Sequence, residues 1–449
     1  MAVNDSRDPS AAGETKGSET PPFGSGLALH WQILIAMVLA VAAGFAVGSD
    51  GLLGGVDFLA VFELLGRLFM NAMKMLVVPL VVSSVICGVA SLGQSRDLGR
   101  IGGRTFFLYV VTTLIAVLVA LVVSNVIRPG ELNGVPVGDR LAFEANAAAV
   151  ADKVEARASV GLGETLASAV PDNIVAAASG TKLLGLVVFS ILFGYFASRI
   201  DSARGALLLG FWQAVFDVML KITEFVMRFA PIGVFGLVAK TVAKSGVQAA
   251  EPLVIFSLSV LLGLAIYAFI LIPLLVWSMG RVRPFGLFRA MSPALLTAFS
   301  TASSSATLPM SLDCLEKRAG VSNRVCGFVM PLGASLNHAG SALYECAAAM
   351  FIAQAYGLHL TFAHQFTIVV LALVTSMGIA GIPAASLVAI TVILTAIGLP
   401  PEAIGVLLVF DRLLDMLRTT VNVLADAAAA VIIARQEGET NVLVAPRLI

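Results

Sequence analysis

Apolar segments of membrane-spanning length recur along this chain between residues 31 and 435. A hydrocarbon core about 30 Å thick needs roughly 20 apolar residues in a helix. Segments that meet this requirement lie at 31–49, 58–92, 105–127, 181–199, 208–242, 252–279, 322–355 and 401–435. Only 12% of the residues are charged, against about 25% in soluble domains. We therefore predict an all-α polytopic membrane protein.

The placement of arginine orients the predicted spans. Short loops at 96–104, 199–204 and 281–289 each carry two or three arginines, and they fall on one side if the spans alternate. The positive-inside rule makes that side the cytoplasm. We therefore expect a plasma (inner) membrane protein with both termini in the cytoplasm. Residues 1–27 are predicted to form a disordered polar tail, and 437–449 a C-terminal tail.

Charge and cysteine usage argue against several other classes of protein. The formal net charge is zero and no basic run occurs, so we expect no nucleic-acid partner. The four cysteines lie in or beside apolar segments without CxxC spacing: Cys87, Cys314, Cys326 and Cys346. This spacing indicates neither a disulfide framework nor a zinc site. No cofactor is expected beyond coupling ions.

The last apolar segment carries strong charges along one helical face. At 3.6 residues per turn, its polar residues share one side of a single helix: Asp411, Asp415, Arg418, Thr419, Asn422 and Asp426. An ionisable group at bilayer depth costs about 3 kcal/mol or more and normally faces a cavity or the protein interior. The stripe therefore predicts a transport site. The alternative is an internal ion pair between Asp415 and Arg418, one turn apart.

Two pairs of short apolar arms flank breaks in the second half of the chain. The first break, 300–309, is rich in Ser and Thr, and the second, 376–383, reads SMGIAGIP. A polar patch at 333–341, GASLNHAGS, interrupts the span between them. Each arm is too short to cross a bilayer, so we expect two re-entrant hairpins entered from opposite sides. Interrupted segments at matching positions indicate an inverted repeat and the binding site of a secondary transporter.

The residues at these breaks suit an anionic substrate together with a small hard cation. Hairpin tips expose backbone N–H groups at helix N-termini, which favour a carboxylate. Arg418 is suited to bidentate binding of a second carboxylate, and Asp415 to an ammonium group. An acidic amino acid carries these three charges. The side-chain oxygens of Asn337, Asn422 and Asp426 are suited to sodium.

Four motifs resemble the glutamate/aspartate and dicarboxylate:cation symporter family. They are TASSSATLP at 301–309, SALYECAAAMFIAQ at 341–354, AGIP at 380–383 and DxxxDMxRTxxNVxxD at 411–426. The resemblance implies a homotrimer whose subunit has eight transmembrane helices, two re-entrant hairpins and an elevator motion. It also implies a scaffold with the first six helices at 28–280 and a transport half at 284–436.

The resemblance further implies roles for individual residues. The expected substrate contacts are Ser303, Ser304, Ser305, Ser341, Ile382, Asp415, Arg418, Thr419 and Asn422. One expected cation group consists of Gly333, Asn337, Asn422 and Asp426. A second group consists of Tyr109, Thr112 and Thr113 with the broken helix, and Ser376 is a further candidate ligand.

The broken helix departs from the family pattern at two positions that bear on coupling. Where the family usually reads Asn-Met-Asp-Gly-Thr, this chain reads Asn-His-Ala-Gly-Ser at 337–341. Ala339 removes a carboxylate expected to bind sodium, so the cation group with Tyr109 is expected to be weakened or lost. His338 and Glu345, a buried carboxyl, are candidate proton carriers. The alternative for the histidine is a neutral ring bonded to backbone.

We predict a secondary active symporter, not an enzyme, that carries an acidic amino acid or C4-dicarboxylate with sodium, protons or both. A neutral amino acid carrier or exchanger of the same fold is the main alternative, with Arg418 merely paired to Asp415 or Glu345. A receptor that binds without transport is a further alternative. An intramembrane hydrolase would use a tip serine with His338 as base, but the tip lacks a GxSxG elbow.

Overall fold

The computed structural model describes most of the chain outside the N-terminal tail. The described residues are 29–48, 52–53, 56–92, 98–141, 143, 150, 170–179, 183–200, 202–358, 360–378 and 385–443. The predicted tail at 1–27, the tip of the second hairpin at 379–384 and the last residues of the C-terminal tail therefore lie outside them.

In the described part of the first half, the regular structure is helical apart from two short antiparallel strand pairs. Its helices are α1 Leu29–Val47, α2 Phe58–Leu92, α3 Leu98–Ile127, α4 Ile174–Ser179, α5 Leu183–Ala197, α6 Ser202–Arg228 and α7 Ala230–Ser245. Strands β1 Leu52–Leu53 and β2 Val56–Asp57 pair between α1 and α2, and β3 Glu131–Leu132 and β4 Val135–Pro136 pair after α3.

The second half begins with a long helix that contains one π-helical turn. Its helices are α8 Ala250–Ile266, α9 Ile272–Gly280, α10 Phe285–Thr301, α11 Ser304–Asp313, α12 Asn323–Leu336, α13 Ala339–Ala355, α14 Phe362–Gly378, α15 Ala385–Ile397 and α16 Leu408–Gln436. A 3₁₀ turn at Pro401–Leu407 leads into α16. Helices satisfy their own backbone hydrogen bonds, as a bilayer requires.

Among the described residues, four helical stretches are long and apolar enough to cross a membrane: Ile101–Ile127, Ala203–Arg228, Ala250–Gly280 and Pro401–Gln436. Shorter apolar helices accompany them. The predicted span at 208–242 is divided between two helices, because α6 ends at Arg228 and α7 begins at Ala230. Pro231 lies in the first turn of α7, where its missing N–H costs nothing; a continuous helix would lose a hydrogen bond there.

The extent of burial differs strongly between helices. Helix α16 is enclosed by α9, α10, α12 and α13. In the most apolar 18-residue stretch of the span that contains α16, 89% of the residues are buried, against 11% in the corresponding stretch of the span that contains α6. Enclosure of α16 follows from its charges, since ionisable groups at bilayer depth require partners or a cavity. Helix α3 packs on α13 and α8 and so brings Tyr109 and Thr113 toward the centre.

The turn between α10 and α11 closes a helical hairpin. Ala302 adopts a left-handed conformation with φ of 51°. Ser303 then caps α11, its Oγ accepting a hydrogen bond from the Ala306 N–H at 3.2 Å. A serine N-cap satisfies one of the free N–H groups of the first turn. Helix α11 and the π turn Cys314–Ala319 run back along α10, and both arms pack on α16.

Residues 437–443 form a strap that returns from the end of α16. Glu439 accepts a hydrogen bond from the backbone N–H of Ser322 at 3.0 Å, and the N–H of Leu443 donates to the Ala319 carbonyl at 2.8 Å. Val442 is buried. Arg104 of α3 pairs with Glu437 at 2.9 Å. The strap therefore joins α16 to α3, to the base of the hairpin and to the start of α12.

Candidate binding site

The predicted stripe on α16 forms a buried cluster of charges. Arg418 is fully buried, and its Nη2 lies 2.8 Å from Asp415 Oδ1 and 3.2 Å from Asp411 Oδ1. Arg412 approaches the other oxygen of Asp415 at 3.6 Å. Four charges on about two turns of one helix thus compensate one another. The expected ion pair between Asp415 and Arg418 is present, but it is part of a larger network.

The guanidinium of Arg418 is only partly satisfied. Its Cζ lies 3.8 Å from the centroid of the Tyr344 ring, a cation–π contact. Its Nε and Nη1 are buried without a hydrogen-bond partner among the described residues. A buried charged donor left unpaired costs more than about 1–3 kcal/mol, so two of the three guanidinium nitrogens are available to an anionic ligand.

A third buried carboxyl lies beside this cluster. Glu345 of α13 is fully buried, and its Oε2 accepts a hydrogen bond from the Thr375 hydroxyl of α14 at 2.9 Å. Its Oε1 has no partner among the residues that the structure covers. Glu345 therefore connects α13 to the first arm of the second hairpin and keeps one oxygen open.

The break between α12 and α13 consists of two residues in non-helical conformations. Asn337 has φ and ψ of −108° and 80°, and His338 has −104° and 54°. The Asn337 amide donates from Nδ2 to Asp426 Oδ1 at 2.8 Å and accepts at Oδ1 from the Thr113 hydroxyl at 3.2 Å. One amide therefore joins both of the predicted cation groups.

Gly333 lies directly against two of the predicted cation ligands. A Cβ placed on it would lie 2.6 Å from Asp426 Oδ1 and 2.8 Å from the Tyr109 hydroxyl oxygen. The Tyr109 hydroxyl donates to the Val329 carbonyl at 2.8 Å, whereas the Thr112 hydroxyl donates to a carbonyl within its own helix. Only a residue without a side chain fits this position.

Asn422 makes its contacts with the start of α13. Its Oδ1 accepts from the Gly340 N–H at 2.7 Å, and its Nδ2 donates to the Ser341 hydroxyl at 3.2 Å. The structure therefore brings Asn422 and Ser341 together, one turn of α16 from Arg418. Asp426 lies one turn further on, so that a continuous polar face connects the charge cluster to the Asn337 group.

His338 contacts the first arm of the second hairpin. Its Nδ1 lies 3.1 Å from the Ser376 carbonyl oxygen, and its Nε2 is buried with no partner among the described residues. The ring therefore activates no serine of the first hairpin tip. Ala339, the position that lacks the expected carboxylate, is fully buried at the first turn of α13.

The remaining predicted residues occupy more varied surroundings. Ser304 and Thr419 are buried, Ser303 caps α11, and Ser305 is exposed. Ile382 lies outside the described residues. Sequence reasoning placed Asp411 on the polar stripe without giving it a role, although its spacing of seven residues from Arg418 was the available signal for their contact. It did not include Thr375 and Tyr344 in the site.

Comparison with known proteins agrees with the geometry of this face. The family model described as the sodium:dicarboxylate symporter family matches residues 29–436. The chain belongs to this family. The family is one of secondary transporters, so the protein is a cation-coupled symporter rather than an enzyme, which confirms the prediction.

Curated relatives cover nearly the whole chain. The proton/glutamate-aspartate symporter of Escherichia coli is 35% identical over 411 residues, which are 91% of this chain and 93% of the relative. The proton/sodium-glutamate symport protein of Bacillus caldotenax is 34% identical over 92% of this chain and 96% of its own length. Rabbit (Oryctolagus cuniculus) excitatory amino acid transporter 3 is 33% identical, covering 92% of this chain and 86% of the relative.

Proposed function

We propose that the protein carries glutamate, aspartate or a related C4-dicarboxylate across the plasma (inner) membrane. The observation that supports this substrate class is the buried Arg418, whose Nε and Nη1 are unpartnered within the described chain. A guanidinium binds carboxylate through charge-assisted hydrogen bonds. Four relatives are named for glutamate or for glutamate and aspartate.

In this proposal the side-chain carboxylate of the substrate binds Arg418 and the ammonium group binds Asp415. The main carboxylate binds the hairpin tips, where Ser303, Ser304 and Ser305 open α11 and Ile382 belongs to the second tip. Further contacts come from Ser341, Thr419 and Asn422, which lie on the polar face.

We propose that Gly333, Asn337, Asn422 and Asp426 bind the coupling sodium, with the Tyr109 hydroxyl beside Gly333 and Ser376 as a further candidate ligand. One carboxylate with amide, hydroxyl and carbonyl oxygens is a donor set that suits a hard monovalent cation. Thr112 and Thr113 belong to the second group, which is weakened by Ala339. Protons then replace the missing sodium, carried by His338 or by Glu345, each of which has one unpartnered buried atom in the described structure.

The finer architecture follows the same family. We propose eight spanning helices, two re-entrant hairpins, an elevator motion of 284–436 against 28–280, and a homotrimer with cytoplasmic termini. The weak burial of α6 supports a role for neighbouring copies, because α6 exposes Asp217 and Gln213 on a span that must be shielded from lipid.

The deciding experiment is uptake of labelled aspartate, with succinate in parallel, into proteoliposomes under separately imposed sodium and proton gradients. We expect uptake of at least one substrate. Uptake driven by sodium alone identifies the Asp426 group as sufficient, and uptake driven only by protons identifies His338 or Glu345. No uptake of either substrate under any gradient would refute the proposal.

A neutral amino acid carrier is the second candidate, because Arg418 is already paired with Asp411 and Asp415. A fully compensated guanidinium would not need a substrate carboxylate. Competition separates the two candidates: unlabelled serine or alanine displaces labelled aspartate only in a carrier of neutral substrates, whereas succinate displaces it only in a carrier of dicarboxylates.

A further inference from the structure

A cavity of about 490 Å³ lies away from the polar face of α16. Its walls come from α2 and α7 on one side and from the end of α13 and the 3₁₀ turn before α16 on the other. The described lining contains none of the predicted substrate or cation residues. Its volume falls within the range of about 300–1,000 Å³ that is typical of sites for small organic ligands.

The lining combines apolar surface with a net excess of cationic groups. Leu141, Phe143, Leu237, Tyr356 and Val406 form the apolar part, and the rings of Phe143 and Tyr356 stack at 4.6 Å. The charged lining residues are Arg67, Lys240, Lys244, Glu63 and Glu402. Three cationic groups against two carboxylates favour a ligand that carries negative charge.

Arg67 is the guanidinium of the lining, and it is exposed in the single chain. It lies about 14 Å along the helix axis from the first residue of α2. Lys240 pairs with Glu63 at 3.6 Å, whereas Arg67 has no hydrogen-bond or ion-pair partner in the part of the chain that the structure describes. A guanidinium binds carboxylate or phosphate oxygens bidentately, so Arg67 is the lining residue best suited to hold the anionic group of a ligand.

We propose that this cavity binds an amphiphilic anion, with a carboxylate or phosphate group on Arg67 and an apolar body against Phe143, Leu237 and Tyr356. Two sources supply this chemistry: an anionic lipid headgroup, or a free organic carboxylate from solution. A ligand of either kind contacts both halves of the chain at once.

The consequence for transport rests on the proposed function. If the half that contains Tyr356 and Val406 moves against α2 and α7, an occupant that touches both halves opposes the motion. It then lowers the maximal uptake rate and leaves the substrate KM nearly unchanged, because the cavity shares no described residue with the substrate site.

Binding is tested on the full chain in nanodiscs, with two probes that distinguish the sources. The free carboxylate is 4-(trifluoromethyl)benzoate, followed by ¹⁹F NMR in phosphatidylcholine nanodiscs. The lipid is phosphatidylglycerol, compared with phosphatidylcholine by native mass spectrometry. Arg67→Gln is expected to lower the affinity for the probe roughly ten- to hundred-fold, and Arg67→Lys is expected to lose only part of that affinity.

A second variant fills the cavity without touching Arg67. A Cβ on Gly405 would meet only Leu237 Cδ2, at 3.8 Å, so Gly405→Trp has room to enter the cavity and is expected to abolish binding. Arg128→Gln, whose partner is Glu131 at 2.6 Å and which lies outside the cavity lining, serves as the control and should bind normally.

The outcomes are separable. Binding of either probe that falls in Arg67→Gln and Gly405→Trp but not in Arg128→Gln supports the site, and the probe that binds identifies the source. Failure of both probes to bind the unmodified protein, or binding that is equal in all variants, overturns it. A protein that binds the probe at this cavity but transports nothing retains the site and refutes only the proposed function.

Discussion

Substitution of Gly333 by alanine is the sharpest test of the proposed cation site. The added methyl group would lie 2.6 Å from Asp426 and 2.8 Å from the Tyr109 hydroxyl, well inside van der Waals contact. Overpacking of this kind typically costs about 1–3 kcal/mol. If this cost falls on ion binding, the apparent sodium affinity weakens by about 5- to 150-fold.

The measurement is the sodium concentration at half-maximal aspartate uptake in proteoliposomes. Gly327→Ala is the matched control, because it lies in the same helix and its Cβ would meet only Asn323 Oδ1 at an ordinary 3.6 Å. Sodium dependence that is unchanged in Gly333→Ala, at normal expression and thermal stability, would refute the assignment of Asp426 and Tyr109 as cation ligands.

Three further substitutions test other parts of the structure. Arg418→Lys keeps the charge but loses the planar donor set, so aspartate affinity should fall at least about tenfold in competition assays; equal affinity would contradict carboxylate binding by Arg418. Glu345→Gln should abolish uptake driven by a proton gradient while sodium-driven uptake persists, and a retained proton response would assign coupling elsewhere. Glu439→Gln should destabilise the fold by about 1 kcal/mol, which lowers the unfolding temperature of a chain this long by about 1 °C. Because the Ser322 hydroxyl also donates to Glu439 Oε1, the effect should be non-additive with Ser322→Ala; additive effects would mean that the strap does not act through this pair.

Much of the site was predictable from sequence because its signals are local. The helical spacing of charges in α16 required a buried face, and the structure encloses Asp415 and Arg418. The polar interruption at 333–341 likewise predicted the non-helical pair at Asn337 and His338. A polar or charged residue in an apolar membrane segment has a large energetic cost, so its presence there indicates a specific structural or functional role.

The features that were missed depend on contacts between distant segments. Nothing near Glu439 in the sequence indicates that it hydrogen-bonds Ser322, 117 residues away. The cavity beside Arg67 arises only when α2, α7 and the turn before α16 meet. The helix interruption before Pro231 was missed for a different reason. Proline lacks a backbone N–H, but hydropathy measures only how apolar a segment is, and the apolar composition continues through the break.

The two hydrogen bonds of Asn337 affect how the arrival of an ion can be observed. Its N–H already points at the Asp426 carboxylate, and its oxygen already receives the Thr113 hydroxyl hydrogen. In the proposed cation site, an ion bound by the Asn337 oxygen would take the place of the Thr113 hydrogen, and the Thr113 hydroxyl would rotate its O–H away. The Asn337 N–H lies in the plane of a rigid amide and keeps its direction toward Asp426, so binding of an ion at the amide oxygen would be measurable in the amide resonances of this one side chain.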